Sequence, residues 1–295
     1  MKKYFILFLL LITVSCSTLK STVHTIGNLV GDEEMKKAKS DLSPSQQYYF
    51  GRTLLASFFS MHPLVKNQEA LTYMRNVGTQ LVLHIPELDA EQIHTPYKGF
   101  VFALVKADEP IAFSTPGGFV IVSTGLIKNL ESEDQLAGIL SHEMGHILWE
   151  HALREIEGEV TKNSLMKIGG AVAKAANTEI KNKGVEDAKT NEQIDEFVEF
   201  ANVGFTSVIS NPHSQKYEIE ADKWAGELLV ASQYSPFEFA KLIETTKGAR
   251  FASKHPPSKK RAEKFRSYRL GQGKAFSTAE RKSRFDRFKK HLISL

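Results

Sequence analysis

The 295-residue chain has a single cysteine, Cys16, which excludes an internal disulfide framework and any cysteine-rich zinc site. Its chemistry must therefore rest on histidine, carboxylate or hydroxyl side chains. The chain also lacks a large excess of positive or negative charge, because it has 38 Lys and Arg residues and 34 Asp and Glu residues. The small net charge of +4 argues against nucleic acid as a partner. With 42% hydrophobic and 24% charged residues, the chain is neither a disordered tail nor a coiled-coil rod.

The charge is unevenly distributed, since residues 248–295 hold 15 basic and only 3 acidic residues. Residues 271–295 are predicted to form a basic C-terminal helix, with a capping box at its start and three apolar side chains, Phe285, Phe288 and Leu292, on one face. We expect this face to be core and the charges to be solvated. The alternative is that the basic helix touches anionic lipid.

Long hydrophobic runs are absent apart from residues 4–14, which are too few for the ~20 residues of a membrane-spanning helix. Two lysines precede this run and Ser15 follows it, so residues 1–15 are predicted to be an export signal. The end of the run resembles a bacterial lipobox, which implies that Cys16 is lipidated and that residues 16–43 tether the fold to a membrane. Ser17 instead of Asp favours the periplasmic face of the outer membrane. The alternative is an ordinary cleaved signal with an incidental cysteine.

The remaining pattern predicts an α+β domain, mainly helical with a small β-sheet, over residues 44–270. Helices are expected from Pro44, over residues 68–83, from Ser132 to about residue 156, and between Ser214 and Ser232. Ser132 and Gln135 match a capping box. Three segments rich in Val, Ile and Phe and separated by Pro or Gly, between residues 99 and 127, are predicted to be strands.

The sequence His-Glu-Met-Gly-His occupies residues 142–146, inside the helix predicted from Ser132. Residues four apart face the same way on a helix, so His142 and His146 can bind one Zn²⁺, with Glu143 beside them to act on a water molecule. A motif of this length also occurs by chance. The alternative is therefore a pair of helical histidines that only form hydrogen bonds.

A catalytic zinc site needs three protein ligands and one open position, so a further ligand must come from elsewhere. The segment Glu-Ile-Glu-Ala-Asp at residues 218–222 places Glu218 and Asp222 on one helix face. We interpret Glu218 as the third ligand and Asp222 as the partner of a ligand histidine. Glu220 points about 200° away at 3.6 residues per turn and is the competing choice. Taken alone, such a segment is more often a solvated acidic face.

The HEMGH motif with a downstream Glu-x-x-x-Asp resembles the gluzincin peptidases of the HtpX and CAAX prenyl protease family, in particular its soluble periplasmic lipoprotein members. The resemblance covers residues 44–268 and includes the Phe-x-x-Pro-Gly-Gly strand pair that begins at Phe113 and the HPPSKKR segment at residues 255–261. Two departures, Ile111 in place of the usual Asn and the absence of an Arg around Gln215, concern substrate positioning rather than metal binding.

The resemblance implies a zincin-like fold and a Zn²⁺-dependent endopeptidase acting on unfolded or misassembled envelope proteins. Glu143 would serve as the base and then as the acid, and an extended substrate would pair with an exposed edge at residues 118–123. His255 would donate a hydrogen bond to the oxyanion or occupy the open metal position, unless it is simply a loop histidine. His151 lies about 140° from the ligand face and is interpreted as structural. The rival function is a lipid-anchored, chaperone-like assembly factor with a latent or structural zinc site.

Overall fold

The computed structural model describes residues 40, 42–85, 96–159, 213–245, 255, 259–267 and 279–293. The export signal predicted for residues 1–15, the lipidated Cys16 and most of the tether lie outside the described residues. No helix of the described part is long and apolar enough to cross a bilayer.

Helices dominate the described residues, and a small sheet accompanies them, which confirms the predicted α+β class. The helices are α1 (Pro44–Met61), α2 (Gln68–Val82), α3 (Thr124–Asn129), α4 (Glu133–Leu148), α5 (His151–Glu159), α6 (Gln215–Ala231), α7 (Pro236–Thr245), α8 (Lys259–Ser267) and α9 (Ala279–Ile293). The strands are β1 (Val101–Val105), β2 (Ala112–Thr115) and β3 (Phe119–Ser123).

Serine side chains begin several of these helices by accepting a backbone hydrogen bond from the first turn. Ser214 caps α6 in this way, as predicted. Ser132 caps α4 by accepting from the N–H of Gln135, but the side-chain oxygen of Gln135 accepts from the N–H of Glu131 instead of returning to Ser132. The predicted capping box is therefore only half formed, although α4 starts where the sequence indicated.

The sheet has the order β1-β3-β2, with β1 parallel and β2 antiparallel to β3. Because β3 is paired on both sides, the prediction that residues 118–123 offer an exposed edge to a substrate is wrong. The outer strand β2 approaches α4, the helix that contains the HEMGH motif, and the hydroxyl of Ser114 on β2 donates a hydrogen bond to Glu143 on α4.

Helix α4 is buried along its whole length, and α6 packs closely against it. A Cβ atom at Gly145 would lie 3.0 Å from Trp224 Cδ1 and 3.3 Å from Ala221 Cα. The absence of a side chain at Gly145 therefore allows the close approach of the two helices. This approach carries the acidic face of α6 to the histidines of α4.

The predicted continuous helix from Ser132 to about residue 156 is broken in the structure. α4 ends at Leu148, Glu150 adopts a left-handed conformation with φ 52°, and α5 begins at His151. The Glu150 carboxylate is buried and accepts hydrogen bonds from the backbone N–H of Ser40 and the side-chain amide of Gln47. These long-range partners stabilise a backbone conformation that costs free energy for a non-glycine residue, and helical periodicity cannot reveal them.

The apolar stripe of α9 is part of the main core, as expected. Phe285, Phe288 and Leu292 are each at most 3% exposed and belong to the main core cluster, where α9 contacts α2, α3 and α4. Arg284 of the same helix forms two hydrogen bonds with the buried carboxylate of Glu133 at the start of α4.

Candidate metal centre

The structure brings together the three residues that the sequence predicted as metal ligands. Nε2 of His146 lies 3.0 Å from Nε2 of His142 and 3.3 Å from Oε1 of Glu218, while Oε2 of Glu218 lies 3.6 Å from Nε2 of His142. All three side chains are buried.

The donor atoms fit a zinc ion. Four ligands at 2.0–2.2 Å in a tetrahedron would be separated by about 3.3–3.6 Å, close to the distances between these atoms. Two imidazole nitrogens and a carboxylate oxygen form a ligand set that zinc accepts.

His255 adds a fourth donor to this group. Its Nδ1 atom lies 2.8 Å from Oε1 of Glu218 and 3.1 Å from Nε2 of His142, and the residue is 1% exposed. Its Nε2 atom lies 3.1 Å from Oε1 of Glu143. His255 is therefore placed in the cluster itself, between the other donor atoms and Glu143.

Glu143 is fully buried and is contacted from two sides. Its Oε2 atom accepts a hydrogen bond of 2.8 Å from the hydroxyl of Ser114 on β2. Burial raises the pKa of the Glu143 carboxyl, but the charges of His255 and its neighbours outweigh it and hold this pKa well below its ordinary value. These contacts favour the ionised form of a carboxylate that is aimed at the cluster, which is the form that accepts a proton.

Asp222 occupies the position that the sequence predicted for it. Its Oδ1 atom is 3.0 Å from Nδ1 of His142, on the side of the ring away from the cluster. Arg261 donates to Asp222 from Nε at 2.7 Å and from Nη2 at 2.6 Å, and its Nη1 lies 2.7 Å from Oε2 of Glu218. Burial raises the pKa of Asp222, and the Arg261 charge more than offsets this, so the pKa lies below its ordinary value.

Glu220, the competing ligand, does not join the cluster. Its Oε2 atom lies 3.0 Å from Nε2 of His151, and the Nδ1 of His151 lies 2.9 Å from Nδ1 of His146. Burial lowers the pKa of His151. The break before α5 turns His151 towards His146, whereas a continuous helix would place it on another face.

A small pocket adjoins His146 and contains a residue that the sequence analysis missed. His213 stacks on the His146 ring with a centroid distance of 4.1 Å and an interplanar angle of 20°, and its Nδ1 is 2.7 Å from Oε2 of Glu155. Ser114 and Glu150 also line this pocket. No motif marks His213, although its place directly before the helix cap Ser214 ties it to the start of α6.

Comparison with known proteins gives a match to the model of Peptidase family M48 over residues 80–269, which includes HEMGH, Glu218 and His255. The matched region thus holds every member of the cluster.

Several curated relatives match part of the chain. The Beta-barrel assembly-enhancing protease of Escherichia coli (strain K12) is 30% identical over 132 residues, which are 45% of this chain and 26% of the relative. Metalloprotease YcaL of the same strain is 27% identical over 169 residues, covering 55% of this chain and 59% of the relative. The Mitochondrial metalloendopeptidase OMA1 of Arabidopsis thaliana is 29% identical over 177 residues, covering 56% and 31%. The chain thus spans only about a quarter of the assembly-enhancing proteases it matches.

Proposed function

Since this chain belongs to peptidase family M48, we propose that it is a zinc-dependent endopeptidase whose metal is held by His142, His146 and Glu218. The observation that carries this proposal is the convergence of these three side chains, distant in sequence, on one buried point with donor separations of 3.0–3.6 Å. A zinc ion bound there would lower the pKa of a coordinated water to about 7 and polarise a peptide carbonyl.

Glu143 is the proposed general base and acid. Ser114 holds one of its carboxylate oxygens, and the other faces the cluster. From this position Glu143 takes a proton from the attacking water and returns it to the leaving amine. Asp222, fixed by Arg261, keeps the proton of His142 on Nδ1 and thereby leaves Nε2 available to the metal.

His255 is proposed to occupy the open metal position in the state described, because its Nδ1 lies among the donor atoms. With a metal bound in this arrangement, His255 would fill the place that a water needs. Catalysis would then require the His255 side chain to leave this position.

The proposed substrates are unfolded or misassembled envelope proteins, bound in an extended conformation. The name of the assembly-enhancing protease supports a role in envelope protein handling. We further propose that the protein is exported to the periplasm and anchored to the outer membrane by lipid on Cys16. Protein or peptide substrates and the membrane are its expected partners.

A chaperone-like assembly factor with a latent zinc site is the second candidate. The placement of His255 supports it, since a metal enclosed by three imidazoles and a carboxylate has no position left for water. The two candidate functions differ in whether the His255 side chain ever leaves the fourth metal position.

The decisive experiment compares wild-type protein with Glu143→Gln on casein, with the zinc content of both measured. We expect equal zinc content and a fall in the cleavage rate of roughly 10²-fold or more, because the variant keeps the ligands but loses the base. Equal cleavage by the two proteins would defeat the peptidase mechanism. Full zinc content with no cleavage by wild type would favour the chaperone-like candidate.

A further inference from the structure

We propose that His151, supported by Glu220, is a positioning residue that fixes the ring orientation and the tautomer of His146. This inference rests on the proposed role of His146 as a metal ligand. It assigns a task to the buried His151 and its partly exposed partner Glu220, which the peptidase mechanism does not use.

The two histidines of the motif have different partners on the side away from the cluster. Nδ1 of His142 faces the carboxylate of Asp222 at 3.0 Å, which is the usual arrangement for a metal-binding histidine. Nδ1 of His146 faces the Nδ1 atom of another imidazole, His151, at 2.9 Å. The carboxylate of Glu220 lies on the far side of the His151 ring, 3.0 Å from Nε2 of His151.

Only one placement of the protons on His146 and His151 is consistent with this chain of contacts. If His146 binds the metal through Nε2, its proton is on Nδ1, and the Nδ1 atom of His151 must accept it. The proton of His151 is then on Nε2 and is donated to Oε2 of Glu220. A doubly protonated His151 would set two N–H groups against each other at 2.9 Å, so His151 acts as a neutral ring that links ligand and carboxylate.

The surroundings of His151 hold the ring in this orientation. The residue is 0% exposed and stacks on Tyr217 with a centroid distance of 4.6 Å and an interplanar angle of 10°. The guanidinium of Arg154 lies over the same Tyr217 ring and 3.5 Å from Oε2 of Glu220. His151 and Glu220 are thus held in place by groups on α5 and α6.

Two substitutions separate positioning from packing. His151→Phe keeps an aromatic ring for the buried site and for Tyr217 but cannot accept a hydrogen bond. His151→Asn loses the ring but keeps a carbonyl oxygen that can reach the position of Nδ1. A packing role favours Phe, whereas a positioning role favours Asn.

The measurement is zinc affinity, obtained by competition with a chelator, together with the visible spectrum of the cobalt(II)-substituted protein, which reports ligand geometry. We expect His151→Phe to bind zinc about 10- to 100-fold more weakly than wild type and to show an altered cobalt spectrum. His151→Asn should stay close to wild type in both. Equal affinities for the two variants, or weaker binding by Asn than by Phe, would overturn the proposal.

If neither His151 variant folds, the zinc affinity of Glu220→Ala tests the proposal instead, because Glu220 is partly exposed and its loss leaves the core intact. Weaker zinc binding by this variant supports the link, and unchanged zinc binding overturns it. These readouts do not depend on proteolysis. A wild-type protein that binds zinc but cleaves nothing would end the proposed function and leave this inference standing.

Discussion

Nε2 of His255 lies 3.1 Å from Oε1 of Glu143, while the other nitrogen of the same ring lies 2.8 Å from Oε1 of Glu218. One side chain therefore joins the proposed base to the proposed metal ligands. A water held between metal and base would have to occupy this same space.

Replacement of His255 by Ala should increase proteolysis, because no side chain then has to leave the fourth metal position before water can enter it. If the competent state is a minor population of 10% or less, the cleavage rate of casein should rise roughly tenfold or more. His291→Ala removes a partly exposed histidine that pairs with Glu69 and should leave the rate unchanged. A slower His255→Ala enzyme with full zinc content would instead assign His255 to the oxyanion.

Replacement of Arg261 by Ala should destabilise the metal-free protein. Arg261 is 2% exposed and is the cation shared by the buried carboxylates of Asp222 and Glu218. Breaking a buried pair leaves uncompensated charge, so the free energy of unfolding in urea should fall by about 3–5 kcal/mol. Arg266→Ala removes the exposed pair with Glu244 and is the matched control, with little expected change. Similar small losses for both variants would contradict this role of Arg261.

The stability of the protein should depend on pH through Glu133, far from the metal centre. Burial raises the pKa of Glu133, but hydrogen bonds from Arg284 and Tyr73 outweigh burial and hold the pKa below its ordinary value of 4.5. A carboxyl with a depressed pKa stabilises the fold above the pKa of the unfolded chain, and this contribution is lost as the pH falls through the pKa of the folded state.

Arg284→Ala tests this dependence. The variant should be less stable than wild type at pH 7, and the difference should shrink as the pH falls below about 4.5, where Glu133 takes up a proton and no longer needs the cation. Urea unfolding of both proteins between pH 7 and pH 3 measures this difference in the free energy of unfolding. Arg287→Ala, which removes an exposed arginine of the same helix, is the control. Parallel curves for wild type and Arg284→Ala would show that Glu133 is not the responsible group.

Local features of the site were predictable from the sequence because they depend on spacing along one helix. The i, i+4 separation places His142 with His146 and Glu218 with Asp222 on common faces, and serine caps mark the starts of α4 and α6. The orientation of His151 towards His146 was not predictable for the same reason. Its predicted angle assumed a continuous helix, and the break at Glu150 depends on Ser40 and Gln47, more than 100 residues away.

The amino-acid sequence by itself determined that His142 and His146, and likewise Glu218 and Asp222, share one face of a helix, since helical geometry converts residue spacing directly into direction. Only the tertiary structure decided which strand lies at the edge of the sheet, that Arg261 neutralises two buried carboxylates, and that His255 enters the donor cluster. These features arise from the packing of segments far apart in the chain, which local periodicity does not encode.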